Sequence, residues 1–186
     1  MINRLLFLCL GFFLQDSRCA EDPAFKVINK KVSLGRFVPK DLVVFNGVKV
    51  SKRIVSDLQK LITAAKTDGI ELRVISGYRS YDYQEALFKR YVNAEMKKNP
   101  RITREQAEVQ VNTFSAKPGH SEHQLGTVVD ILSKENNFQF SSDSSLTYVQ
   151  WFEKNVSKWN FKISYPKGSK EYVYEPWHLR WYPNTK

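Results

Sequence analysis

Between Ser51 and Asp68 the apolar residues Ile54, Val55, Leu58, Leu61, Ile62 and Ala65 recur at helical spacing, and Asp68-Gly69 offers a stop. The period then changes. Ile70, Leu72 and Val74 alternate with polar neighbours, which predicts a strand over 70–75 that runs into a turn at Ser76-Gly77. Ser80 caps a second helical pattern through Tyr83, Ala86, Leu87, Tyr91 and Ala94, ending before Asn99-Pro100. Thr103-Arg104-Glu105-Gln106 has capping-box spacing, so a third helix is expected to about Phe114, with Lys117-Pro118-Gly119 as its breaker.

Gly126 to Leu132 is a β-branched run in which Val128 and Asp130 share one face and Val129 and Ile131 the other. After the polar loop 141–145, Val149, Phe152 and Val156 mark the buried side of a helix from about Leu146 to Trp159. Strands follow over Phe161–Tyr165 and about Trp177–Tyr182. The helices fall early and the strands late, with no repeat and no long linker. The pattern therefore predicts an α+β fold, a single domain in which helices flank an antiparallel β-sheet.

Composition alters this picture at the N-terminus. Arg4, the apolar run Leu5–Leu14 and small Ala20 have the layout of a secretory leader, and the run is too short to span a bilayer. Residues 1–20 are assigned to a signal peptide and 21–186 to one domain, with an N-terminal extension over about 21–50 and a core over about 51–186. The expected location is outside the cytoplasm, in the periplasm or cell envelope. Lipid anchoring at Cys19 is the less favoured alternative, because Arg18 stands where a small residue is expected. Cys9 and Cys19 are the only cysteines, so an intrachain disulfide and a thiolate-held metal are both excluded once the leader is cut. The formal net charge of +10 favours an anionic partner such as the cell-envelope surface. Lys and Arg are scattered rather than clustered beside aromatic residues, which argues against nucleic acid. The pattern says nothing of oligomeric state.

The candidate chemistry lies in two short segments that contain all three histidines of the chain. One holds His120, His123 and Asp130, and the other is Glu175-Pro176-Trp177-His178. Hydrolytic zinc sites use three nitrogen or oxygen donors, keep one position open, and place a free carboxylate nearby to take a proton from water. His123, Asp130 and His178 are the candidate zinc ligands, and Glu175 is the candidate base. His120 is read as a packing or rim residue, since a fourth protein donor would close the open position. In a regular strand Glu175 and His178 would point to opposite faces. Pro176 resolves the conflict: the strand must begin after it, so Glu175 reaches the site from the preceding loop while His178 and Arg180 face it and Trp177, Leu179 and Trp181 pack behind.

Ser76-Gly77-Tyr78-Arg79-Ser80 with Gln84, Pro118-Gly119-His120-Ser121-Glu122-His123-Gln124 with Gly126 and Asp130, and Glu175-Pro176-Trp177-His178 resemble the VanY-type D-alanyl-D-alanine carboxypeptidases. These are grouped with lysostaphin-type enzymes and hedgehog domains in one zinc-peptidase superfamily. The likeness extends to Val27-Ile28-Asn29-Lys30 and Val38-Pro39-Lys40-Asp41-Leu42-Val43, and so covers about Val27 to Pro183. It implies Zn(2+) on His123, Asp130 and His178, Glu175 as base, Arg79 as the oxyanion partner, and Gln84 and Ser121 as residues that hold the peptide. The implied substrates are peptidoglycan stem peptides losing a C-terminal D-alanine. L,D-carboxypeptidase, D-Ala-D-Ala dipeptidase and peptidoglycan endopeptidase activities use the same chemistry, and a zinc-containing cell-wall-binding domain is the non-enzyme alternative. Val128, where the family has a small alanine, and Leu125, where threonine is frequent, are departures that bear on pocket width.

Overall fold

The computed structural model describes residues 26–182; the leader assigned to 1–20, both cysteines and Pro183 lie outside them. Among the described residues there are six strands and four α-helices: β1 (Leu42–Phe45), β2 (Val48–Ser51), α1 (Val55–Thr67), β3 (Leu72–Ser76), α2 (Tyr81–Lys98), α3 (Arg104–Val111), β4 (Val128–Ser133), α4 (Thr147–Asn155), β5 (Phe161–Ile163) and β6 (His178–Trp181). Strands β3-β4-β6-β5 form a four-stranded sheet, antiparallel throughout, and β1-β2 form a separate hairpin. Among the described residues, no helix is long and apolar enough to cross a membrane.

The α+β, antiparallel single domain expected from the pattern is the one observed, and its two-sided sheet is what positions the site. Leu58, Leu61 and Ala65 of α1 and Val149 and Phe152 of α4 bury one sheet face together with Val74, Val129, Ile131, Phe161, Leu179 and Trp181. Fully burying an aliphatic side chain of this kind contributes about 1.5–3 kcal/mol, so this layer is the main source of stability. The intervening residues Asp130, His178 and Arg180 are also buried, but on the opposite face. A smaller cluster of Phe88, Val92, Ala107 and Val111 holds α2 against α3.

Helix starts follow local chemistry. Ser80 accepts from the Tyr83 amide at 3.1 Å, and Thr103 and Gln106 exchange both bonds of a capping box. Helix ends depart from the simple periodicity. Helix α3 stops at Val111 rather than near Phe114, because Asn112 to Ser115 close turns and the Thr113 hydroxyl donates to the Gln110 carbonyl at 2.7 Å. The 146–159 segment divides into α4 and a 3-10 turn (Val156–Trp159), ended by Asn160 in the left-handed region. The strand expected over 161–165 ends at Ile163.

The sequence reading gives no strands to the 21–50 stretch, yet β1 and β2 pair across Asn46-Gly47, whose φ values of 47° and 84° suit a tight hairpin turn. Phe45 and Val50 from this hairpin enter the main core. It comes close to the end of β3 at Gly77, where a Cβ would lie well inside contact distance of the Lys49 carbonyl oxygen. A side chain at 77 would push the hairpin away.

Candidate metal centre and its cleft

Cross-strand register assembles the centre. On β4 and β6, Asp130 stands opposite His178 and Val128 opposite Arg180, and on the other side of β4 Ser76 of β3 stands opposite Asp130 across a bulge. Directly opposed residues have Cβ atoms about 4.5–5.5 Å apart, so a row of three strands places Ser76, Asp130 and His178 side by side. His123 comes from outside the sheet, on a 3-10 turn (Glu122–Leu125) that Gly126 ends with φ 73°. One side-chain atom each from His123, Asp130 and His178 lies within 4.8 Å of the other two, and all three residues are buried.

Each imidazole is oriented from behind. His123 Nδ1 lies 2.7 Å from the Gly77 carbonyl oxygen, so Nδ1 carries the proton and Nε2, 3.2 Å from Asp130 Oδ2, faces inward with its lone pair. His178 is reversed: Nε2 lies 3.1 Å from Glu122 Oε2, and Nδ1 lies 3.2 Å from Asp130 Oδ1. The Tyr165 ring stacks on His178 at 4.5 Å and 15°. Two inward nitrogens and a carboxylate, with the outer nitrogens held by a carbonyl and a second carboxylate, form a donor set suited to zinc.

The electrostatics agree with this assignment. Burial, reinforced by the Arg79 cation, lowers His123 to about 4, so it is neutral across the working range. Burial acts the same way on His178, but its hydrogen bonds to Asp130 and Glu122 outweigh that and raise it to about 9. Asp130 is held well below the ordinary carboxylate range: burial opposes ionisation, while His123 and Arg79 overcome it. In the metal-free protein His178 therefore shares a proton with two carboxylates, and a cation must displace it. Zinc affinity is expected to rise about tenfold per pH unit from pH 6 and to level off near 9, measured by competition with a chromophoric chelator. A flat profile would show that no proton is displaced.

Glu175 reaches the site from the loop before β6, as Pro176 requires: the His178 amide donates to the Glu175 carbonyl at 3.1 Å, which closes a turn. Its Oε2 lies 3.9 Å from His178 Nδ1, close to the donor set but not within it. Burial raises the Glu175 carboxyl to about 7. Arg79 donates through Nη2 to Asp130 Oδ2 at 2.5 Å and through Nε to Ser76 Oγ at 2.9 Å, with its guanidinium open to the cleft. Gln84 donates to the Ala116 carbonyl at 2.7 Å, while its Oε1 is buried with no hydrogen-bond partner among the described residues. Ser121, Gln84, Arg79 and Glu175 all line a cleft of about 470 Å³ that opens on His123 and His178. His120 stands apart from the three donors, its Nδ1 2.9 Å from the Asn29 carbonyl oxygen.

Three placements differ from the sequence reading. Trp177 does not pack behind β6; it belongs to the turn before the strand, lines the cleft and meets Phe140 edge-on at 5.2 Å. Val128 and Leu125 are buried and absent from the cleft wall, so neither narrows it. The sequence reading places Arg180 on the site face of β6 but does not single out the supporting partners Glu122 and Tyr165. Glu122 is buried between His178 and Arg180, whose Nη1 donates to it at 2.6 Å, and these two groups hold it ionised at about 2 against the opposing effect of burial. The signal for Arg180 was its shared parity with His178 on β6, but nothing local marks Glu122 as its partner. Glu122→Gln is expected to weaken zinc binding about 10- to 100-fold, since the outer partner of a ligating histidine sets its tautomer and basicity. Chelator competition with the folded variant measures this, and unchanged affinity would remove Glu122 from the metal's support.

The model of the VanY D-alanyl-D-alanine carboxypeptidase family matches residues 47–184. YodJ of Bacillus subtilis (strain 168) is 36% identical over 170 residues, covering 83% of this chain and 58% of that protein. A D-alanyl-D-alanine carboxypeptidase of Enterococcus faecalis is 37% identical over 139 residues, covering 73% of this chain and 49% of that protein. The chain thus spans about half the length of these curated relatives. Among solved structures, the LD-carboxypeptidase LdcB superposes with a TM-score of 0.73 at 32% identity, covering 87% of this chain and 78% of that one. A VanY D,D-pentapeptidase from a VanB-type vancomycin-resistance cassette, in complex with Zn(II), gives 0.72 at 30%, covering 86% and 88%.

Proposed function

Because the chain belongs to the VanY D-alanyl-D-alanine carboxypeptidase family, we propose that it is an exported zinc peptidase that removes the C-terminal D-alanine from peptidoglycan stem peptides. The observation that carries this reading is Glu175, a partly buried carboxylate raised to about 7 that stands beside three converging donors without joining them. A closed, purely structural zinc site has four protein ligands. Three ligands with a poised acid–base group beside them suit hydrolysis.

Zinc held by His123, Asp130 and His178 would supply Lewis-acid polarisation and a more acidic water. The rest falls to the chain's own residues. Glu175 takes a proton from the attacking water and returns it to the leaving amine, and a group near 7 does both at neutral pH. Arg79, steadied by Ser76 and Asp130, directs its guanidinium into the cleft, where it offsets negative charge on the carbonyl oxygen. The buried Oε1 of Gln84, without a partner among the described residues, accepts a peptide N–H, and Ser121 lines the same cleft as His123. Export rests on the leader-like residues 1–20, and the net charge of +9 left by 27 basic and 18 acidic residues after their removal draws the protein to the anionic cell envelope.

The deciding experiment incubates zinc-loaded protein with pentapeptide and tetrapeptide stems and identifies the released amino acid by mass and chirality. Release of D-alanine from the pentapeptide supports the proposal. Release from the tetrapeptide alone replaces D,D with L,D specificity, and release of the D-Ala-D-Ala dipeptide replaces carboxypeptidase with dipeptidase action. No product, or release that survives a chelator, sinks the zinc chemistry.

A further inference from the structure

Among the described residues, the exposed large aromatic side chains are Tyr83, Tyr91, Phe114 and Phe140, and all four border the cleft of the metal centre. Aromatic surface left in water only around one concavity marks a binding surface larger than the reacting bond. Its walls also carry an uneven charge: Arg79 and Arg90 line it, while among the described residues Glu175 is the only carboxylate that does. Arg79 is held by Asp130, but Arg90 makes no ion pair among the described residues. Beside Arg90, Tyr91 packs edge-on against Phe114 with centroids 5.5 Å apart.

The distance between these features limits what they can bind. Helix α2 begins at Tyr81, next to Arg79, and its residues Tyr83, Gln84, Leu87, Arg90 and Tyr91 all line the cleft, which therefore runs along the helix. At 1.5 Å per residue, Arg90 lies about 14 Å along the axis from the catalytic end. An extended peptide covers that distance in about four residues. A carboxypeptidase leaves only one residue on the far side of the bond it cuts, so a group 14 Å away belongs to the acyl side of the substrate.

We infer that the Arg90, Tyr91 and Phe114 end of the cleft is a subsite for an anionic group carried about four residues before the scissile bond, with the two aromatic rings bracing the adjoining chain. The inference rests on the carboxypeptidase reading and adds to it a requirement for a long, acidic acyl segment. It also makes a free D-Ala-D-Ala dipeptide a poor substrate.

Three peptides ending in D-Ala-D-Ala test it with zinc-loaded protein: one with a carboxylate four residues before the bond, the same peptide with that group as a carboxamide, and an acylated tripeptide that stops short of it. Arg90→Ala is expected to lower kcat/KM about fivefold on the carboxylate peptide, the upper range for an exposed ion pair, and to leave the other two within about twofold. Phe114→Ala is expected to lower both long peptides about tenfold and spare the tripeptide. Both side chains are solvent-exposed, and thermal melting verifies that each variant folds. An equal loss on all three peptides, or none on any, overturns the subsite while wild-type turnover keeps the carboxypeptidase reading intact. If the wild-type protein releases nothing from any peptide, the proposed function fails and the subsite falls with it.

Discussion

Glu175→Gln is expected to reduce turnover of a D-Ala-terminated peptide about 10²- to 10⁴-fold, the range supplied by a positioned general base, while the protein stays folded and keeps its zinc. The substitution preserves size and removes only the capacity to take a proton. Metal retention follows from geometry, because the three converging donor atoms come from His123, Asp130 and His178, not Glu175. The sign of the pH dependence follows from the same group. Burial raises the Glu175 carboxyl to about 7 in the metal-free protein, and a nearby dication pulls it down. A base must be ionised to act, so wild-type kcat/KM should fall as pH drops through an apparent pKa at or below about 7. The residual activity of the Gln variant should lack that limb. Rate profiles from pH 5 to 9 with metal analysis of both proteins check this, and a loss smaller than about tenfold would remove Glu175 from proton transfer.

The second large effect is expected at Asp130, where one fully buried carboxylate meets His123 Nε2, His178 Nδ1 and Arg79 Nη2. Asp130→Asn removes a metal donor and leaves the cations of Arg79 and His178 facing each other without the charge that reconciles them. Zinc binding and turnover should be lost. Removing one partner from a buried charged cluster costs about 3–5 kcal/mol, and a similar drop in unfolding free energy is expected here. The pH dependence separates this effect from ordinary packing damage. The folded-state pKa of Asp130 is depressed well below its ordinary value of 3.8, so its contribution is present above 3.8 and is lost as pH falls through the lower folded value. Urea unfolding of the metal-free proteins should show a wide gap between wild type and variant at pH 7 that closes only in strong acid. A gap independent of pH would mean that the carboxylate charge is not what stabilises the site.

Local features of the fold were legible because their causes are local. Ser80 and the Thr103–Gln106 pair announce helix starts, since the side chains that satisfy the first amides lie within three residues of them. Pro176 fixes the start of β6 because it has no amide to give a ladder. The misjudged features have non-local causes. Trp177 was assigned to the core by strand parity, but parity holds only inside a strand and Trp177 lies in the turn before it. The Asn46-Gly47 hairpin carried a readable turn signal, yet its role depends on Gly77, which lacks the Cβ that would keep Lys49 away. The concentration of exposed aromatic residues around one cleft appears only when α2, the 112–116 turns and the 138–145 loop are brought together.

The amino-acid sequence by itself determined the α+β class, the helix caps, the face on which Asp130 and His178 would lie, and an oxygen-and-nitrogen donor chemistry, because each depends on side-chain type and on the short periods of helix and strand. Only the tertiary structure decided which nitrogen of each imidazole faces inward, that Glu122 and Arg180 support His178 from behind, and that Arg90, with no ion-pair partner among the described residues, stands at the far end of the cleft. Those outcomes depend on strand register and on contacts between residues some fifty positions apart. A period of two assigns a side chain to a face of the sheet, but it carries no information about which strand lies alongside.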